Sequence, residues 1–248
     1  MRQNRTVLFC ILLITIPAAA GQVGSPGEER AVAQLQKTGV PLQKDPSGRV
    51  RWIEAAHGEL NDEAMGYLPN LPLLEWLEIG GGKVTAKGIA YLKGCSAIRR
   101  LYIHEITIGD DALAAIAGLS RIEALSLKET GITGKALRHL KAMSSLNVLN
   151  LGSNRIMDAD LAEVARFKNL EVLALQNTGV TGAGLAKLKG MARLNVLNLS
   201  YCPFVDADLE HFSSMPNLRI VHATGTRFSA EGLDALREKL PLLSIFTY

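Results

Sequence analysis

Leu146–Asn169 reads LNVLNLGSNRIMDADLAEVARFKN, Leu170–Arg193 reads LEVLALQNTGVTGAGLAKLKGMAR, and Leu194–Asn217 reads LNVLNLSYCPFVDADLEHFSSMPN. The three superpose without a gap. The same 24-residue frame runs back through Ile122, Ile98, Leu74 and Val50, and forward through Leu218 to a partial turn at Leu242. That makes eight full units and one last strand. Positions 1, 4, 6, 11, 16, 19 and 22 of the unit are apolar columns, counting Ala as apolar, and Lys239 alone breaks them.

The spacing inside one unit predicts its local structure. Positions 4 and 6 are two apart, the period of a strand, whereas 16, 19 and 22 lie on one helical face. Asn61, Thr85, Thr133, Thr181 and Ser229 occupy position 12, where a side-chain oxygen caps the first helical turn. In the units from Leu146 and Leu194 that position is Met157 or Val205, so the cap is expected one residue later, at Asp158 or Asp206. A strand–turn–short-helix unit cannot bury its own apolar face, and stacking on its neighbours supplies the missing cover. Strands then line up ~4.8 Å apart in a parallel sheet, with helices on the other side. Helices are wider than strands, so the stack curves with the sheet inside. The predicted class is an α/β solenoid with a concave parallel sheet and convex short helices.

The pattern L-x-x-L-x-L-x-x-T/N/C-x-I/V followed by T-x-x-G-L-x-x-L resembles leucine-rich-repeat proteins. The TGVTGAGLAKLKGM stretch and the ending LREKLPLLSIF are most similar to secreted bacterial members with 24-residue, ribonuclease-inhibitor-like units, of the kind abundant in planctomycetes. The resemblance covers about 200 residues and implies fold far more than function, because the repeat defines the family. It also implies that column 9 turns inward and bonds the backbone of the adjoining loops, a role that suits Thr130, Asn154, Thr178, Cys202 and Thr226. The chain departs from the pattern at position 13, often Gly or Ala rather than Asp, and at Gly58, Gly82 and Ile106 in column 9.

Composition agrees with a packed repeat array. Of 248 residues, 48% are hydrophobic and 21% charged, which excludes a disordered chain, a collagen and a disulfide-dense scaffold. Aromatics are 5%, so aliphatic residues build the core. A formal net charge of +3 carries no nucleic-acid footprint. The N-terminus reads as an export signal in residues 1–20: Arg2 and Arg5, the apolar run from Val7 to Ile16, then Ala18, Ala19 and Ala20 before the expected cleavage. That run is too short to span a bilayer. The mature chain is expected in a periplasm-like or extracellular space, as a monomer. Cys95 and Cys202 fall five units apart, roughly 24 Å at strand spacing, far beyond disulfide reach, so two free buried thiols are expected.

Residues 21–49 read as a linker and an N-terminal cap, and 50–248 as the repeat domain. Ser25-Pro26-Gly27-Glu28 has capping-box spacing, and Gly39 stops the helix that follows. Asp45-Pro46-Ser47-Gly48 has the composition of a type I turn joining a hairpin that covers the first sheet edge. The last strand, from Leu242 to Thr247, is expected at an exposed edge.

No nucleophile elbow, zinc signature, phosphate loop or C-x-x-C occurs, and no histidine pair has metal-ligand spacing. No catalytic residue, metal or cofactor is therefore assigned. The informative surface is the concave face, where positions 3, 5 and 7 point outward. Its early units gather Trp52, Trp76, Glu54, Glu78, Arg100, Tyr102, His104 and Lys128, the residue types of binding hot spots. A second patch is the aliphatic stripe Val148, Val172, Val196 and Ile220, flanked by Asn150, Asn198 and Gln176. The expected function is non-enzymatic: a scaffold binding a protein partner through this face. Two alternatives are a glycan-binding module using Trp52, Trp76, Tyr102 and the amides, which needs open indole faces, and a hydrolase using the paired Glu54 and Glu78.

Overall fold

The structure, a computed structural model, describes residues 24–247. The expected export signal and its expected cleavage site lie outside these residues. Ten strands form one sheet in sequence order. They are β1 (Leu42–Lys44), β2 (Val50–Ala55), β3 (Trp76–Gly80), β4 (Arg100–His104), β5 (Ala124–Ser126), β6 (Val148–Asn150), β7 (Val172–Ala174), β8 (Val196–Asn198), β9 (Ile220–His222) and β10 (Ser244–Phe246). From β2 to β10 every pairing is parallel, and each residue faces its equivalent 24 positions later: Ile53 opposite Leu77, Leu77 opposite Leu101, Leu149 opposite Leu173. No slip occurs anywhere in this series. A one-residue slip would turn columns 4 and 6 out to solvent.

The apolar columns make one continuous core from Ala31 to Leu243. Column 4 is fully buried from Ile53 to Val221. Column 9 performs the inward role that the resemblance implied. Thr130, Thr178 and Thr226 donate to the carbonyls of Leu127, Leu175 and Ala223 at 2.7–2.8 Å. Asn154 donates to the Leu127 and Leu151 carbonyls and accepts from the Thr130 amide, bridging two units. Cys202 reaches the Leu175 carbonyl at 3.0 Å. Both Cys95 and Cys202 are free and buried, and burial pushes the Cys95 thiol up to about 12.

The convex side differs from expectation in two ways. Most units carry 3-10 turns, such as Asp110–Ile116, Gly134–Leu140 and Asp206–Ser214, or four-residue α-turns, rather than regular short α-helices. A 24-residue unit returns to its strand within one or two turns, and so short a helix tightens into 3-10 geometry. The second correction concerns Asp158 and Asp206, which do not cap their own turns. Instead Asp160 and Asp208 accept from the amides of Met157 and Val205 at 2.9 Å. This frees Asp158 and Asp206 to reach the next unit. Asp158 accepts from both the amide and the hydroxyl of Thr181 at 2.7 Å, and Asp206 takes the same two bonds from Ser229. Asp62 to Thr85 and Asp110 to Thr133 repeat the arrangement.

The clamp occurs in every second unit. Position 13 alternates Asp62, Ala86, Asp110, Gly134, Asp158, Gly182, Asp206, Ala230. The convex face therefore repeats every 48 residues, while the sheet repeats every 24. Small residues in the alternate units make room for the incoming carboxylates. A Cβ on Gly184 would lie 2.5 Å from Asp158 Oδ1, and one on Gly134 or Gly182 would overlap Asp160 or Asp208.

The N-terminal cap is a helix and a hairpin. Helix α1 (Pro26–Gln36) is capped by Ser25, whose hydroxyl accepts from the Glu28 amide. The reciprocal half of the capping box is not made. Glu28 is 3% exposed, and its carboxylate is held by Arg49 at 2.8 Å, which ties the helix to the hairpin. The Gly48 amide closes on the Asp45 carbonyl at 2.8 Å, so the expected turn forms and β1 pairs antiparallel with β2. At the other end β10 is shorter than the expected strand, and Leu242 (71%) and Phe246 (37%) are exposed. No helix among the described residues is long and apolar enough to cross a membrane.

Two expected outcomes follow from the clamp. Gly184→Ala pushes Asp158 off Thr181 and destabilises by about 1–3 kcal/mol. Gly118→Ala, with nothing within 4 Å of the new Cβ, is neutral or stabilising by about 0.5 kcal/mol. Denaturant midpoints of the two variants separate these effects. The second outcome concerns pH. Bonds from the Ser229 hydroxyl and amide hold Asp206 below its ordinary 3.8. At Asp62 burial acts upward, but the Thr85 amide and hydroxyl outweigh it and hold that carboxyl below 3.8 as well. A carboxylate depressed in the folded state contributes stability above its unfolded pKa and loses it as pH falls through the folded value. The melting temperature should therefore drop as the pH goes below 3.8. In Asp62→Asn/Asp206→Asn the drop should be shallower, as a pH series of thermal melts will read.

Candidate binding surface

The early concave patch is brought together as expected. Strand register sets Trp52 beside Trp76 and Trp76 beside Arg100, and sets Glu54 beside Glu78 and Glu78 beside Tyr102. Trp76 and Tyr102 are tilted against each other with ring centroids 5.6 Å apart. His104 lies back over Gly80, whose missing side chain makes the space, and its Nε2 is 3.0 Å from Glu78 Oε1. Burial pushes the Tyr102 hydroxyl up from its ordinary value. Lys128 is half-buried at the next position of the same column.

Exposure within the patch is uneven. Glu54 is open to solvent, whereas Trp52, Trp76, Glu78, Arg100, Tyr102 and His104 are half-buried. Trp52 is opposite Gln43 of β1, so the cap hairpin flanks it. Trp76 Nε1 is buried without a hydrogen-bond partner. A buried indole N–H with no acceptor carries a cost. The glycan alternative needs open indole faces, and both indoles are half-buried. The hydrolase alternative needs Glu54 and Glu78 to work as a pair, but Glu78 is engaged by His104 instead. Among the described residues no group of three or more His, Cys, Asp or Glu is placed to hold a metal.

The second patch is assembled on the same face. Val148, Val172, Val196 and Ile220 stand side by side on β6 to β9, each half-buried. The oxygens of the two flanking asparagines are engaged within the chain. Asn150 Oδ1 accepts from the Gly152 amide at 2.9 Å and from Gln176 Nε2 at 3.3 Å, and Asn198 Oδ1 accepts from the Ser200 amide at 3.0 Å. Asn150 is 8% exposed. Asparagine reaches the amide two residues on, and here that bond shapes the end of the strand.

Two features of the surface lie outside columns 3, 5 and 7. Position 2 carries Arg51, Glu75, Arg99 and Glu123. Arg51 pairs with Glu75 at 3.0 Å and Arg99 pairs with Glu123, giving a line of opposite charges along the edge of the early patch. The alternation of sign was visible in the sequence. Position 8 carries Glu105, Glu129, Ser153, Asn177 and Tyr201, all with φ between 54° and 60°. Their amides bond the carbonyls of Lys128, Gly152, Gln176, Ser200 and Thr224 in the next unit. The left-handed turn carries the ladder past the strand and swings the side chain out onto the rim. Gly81 and Gly225 at the same position were the available signal.

No family model matches the chain, and no curated relative matches it. Solved structures do. Internalin C2 from Listeria monocytogenes is similar over 90% of this chain and 93% of its own, at 25% identity and a TM-score of 0.62. TLR13, solved in complex with ssRNA13, is similar over 80% of this chain and 29% of its own, at 22% identity and a TM-score of 0.58. With the 24-residue register, the inward column 9 and the unbroken parallel sheet, these likenesses decide the architecture: the chain folds as a curved leucine-rich-repeat solenoid.

Proposed function

We propose that the protein is a non-enzymatic, monomeric binding scaffold working outside the cytoplasm, and that it takes a protein partner on the concave face over β2, β3 and β4. The observation that carries this reading is the Trp76–Tyr102–Glu78–His104 cluster. Its side chains are held by strand register, by the Gly80 platform and by one another, so little rotamer freedom is lost on binding. It combines aromatic area with a carboxylate and an imidazole, the make-up of a protein-binding hot spot. Leucine-rich-repeat solenoids in general serve as interaction scaffolds, and an open sheet face has no enclosure in which a reaction could exclude water. The valine stripe of β6 to β9 is an apolar continuation of the same face, available for the partner's outer contacts. The extracytoplasmic placement rests on the charged, apolar and small-residue pattern of residues 1–20.

Two experiments check the proposal. A partner is captured from envelope and secreted fractions of the source organism and purified, and its affinity is measured by calorimetry. Trp76→Ala/Glu78→Lys should weaken it by at least about tenfold, or about 1.4 kcal/mol. Unchanged affinity moves the site to another face. For the location, N-terminal sequencing of the protein recovered from its source should start at Gly21. A sequence starting at Met1 or Arg2 in a cytoplasmic fraction rejects export.

A further inference from the structure

The edge of the solenoid where the convex turns run back into the strands carries one sign of charge. Positions 20 to 24 of each unit make this edge. In the first seven units they hold seven Lys or Arg and no Asp or Glu. Five of the seven fall in three consecutive units: Lys141, then Arg166 and Lys168, then Lys189 and Arg193. All five are exposed, and Lys187, on the turn that leads into the edge, is a sixth exposed cation.

The carboxylates near these three units do not offset them. Glu163 is paired with Arg166 at 3.4 Å, Glu171 stands just before β7, and Glu210 sits on the following turn. Arg138 and Asp111 cancel one another in a pair at 3.5 Å, as do Arg99 and Glu123. Asp158 and Asp160 belong to the other end of their turn, where Thr181 and the Met157 amide hold them. Lys168 donates to the Ala165 carbonyl at 2.8 Å, and Lys141, Lys189 and Arg193 are in no salt bridge among the described residues.

The backbone under the cations is tied from unit to unit. Asn169 Nδ2 donates to the Ser144 carbonyl at 2.9 Å, and the Gly190 amide bonds the Ser214 carbonyl at 3.2 Å. Between the fourth and fifth units the edge opens into a groove of about 300 Å³, walled by Lys141, Arg166 and Lys168 with Ser144 and Asn169, over Phe167. That volume is at the lower end for small-ligand clefts.

The surroundings select among polyanions. A protein partner anchors on aromatic or large apolar groups, a nucleic-acid strand stacks its bases on aromatic rings, and stable membrane attachment needs an apolar group beside a polybasic patch. The large apolar side chains exposed among the described residues are Tyr91, Met157, Tyr201, Leu242 and Phe246, and none is in this part of the edge. What the edge offers is hydrated ammonium groups, guanidinium forks, a hydroxyl and an amide. That set matches a chain bearing carboxylates and hydroxyls.

We infer that this edge is a docking site for a linear acidic polysaccharide, whose carboxylates pair with Lys141, Lys168, Lys189 and Arg193 while one sugar unit enters the groove. The site lies away from the concave cluster and does not depend on it.

The test is fluorescence anisotropy of an end-labelled oligogalacturonate with the full chain. Binding should weaken as salt is raised, and neutral dextran should not compete. Lys141→Glu/Lys168→Glu/Lys189→Glu should lose at least tenfold in affinity, and Lys141→Gln/Lys189→Gln should lose less, in the same direction. Lys83→Glu/Arg155→Glu/Arg227→Glu makes the same change of net charge on the opposite rim, and it should bind as the unaltered protein does, as should Trp76→Ala/Glu78→Lys. Thermal melts confirm that each variant is folded. Absence of binding, or a loss as large in the opposite-rim variant, would overturn the inference. So would tighter binding of a single-stranded oligonucleotide or of phosphatidylglycerol vesicles that the Lys141→Glu/Lys168→Glu/Lys189→Glu variant abolishes, since the edge would then belong to that polyanion.

Discussion

No unit of this chain can bury its own apolar face, and that constraint governs everything else in the structure. Column 4 on the strand and columns 16, 19 and 22 on the turn leave water only when a neighbour 24 residues away covers them. The sheet register follows, because a displaced neighbour would leave whole columns open. Column 9 then meets an otherwise unsatisfiable row of backbone groups, and its Thr, Asn and Cys side chains supply the bonds. The N-terminal cap answers the same need at the first unit, with α1 over the core and β1 along the edge of β2.

A second period is laid over the first. The sheet is indifferent to whether a unit is odd or even, but the convex face is not. An Asp in one unit and a Thr or Ser in the next join in a two-bond clamp, and a small residue clears the path. The functional unit of the convex face is thus a pair of repeats. The pairing also explains why position 13 is Asp only in every second unit: an Asp in the others would set carboxylates where space is needed.

The surfaces available to partners are by-products of this packing. The concave face collects whatever stands at positions 3, 5 and 7, and the early units happen to place aromatics, acids and bases there. Glycine does repeated service at these surfaces. Gly80 seats His104, Gly152 seats Gln176, Gly179 seats Met157 and Gly225 seats Tyr201. Each glycine converts a mobile side chain into a placed one by offering bare backbone for it to lie on.

The amino-acid sequence by itself determined the unit length, the apolar columns, the strand positions, the free buried thiols and the membership of the concave patches. All of these depend on periodicity, which a linear string displays directly. The tertiary structure decided what depends on which atoms meet across units. It turned Asp158 and Asp206 from expected caps into clamps, because Asp160 and Asp208 had already satisfied the turn amides. It set the oxygens of Asn150 and Asn198 against their own backbone two residues on. It put Tyr201 on the rim through a left-handed turn that its side chain does not favour. A hydrogen-bonding side chain has several partners within reach in the sequence, and only the folded arrangement decides which of them it takes.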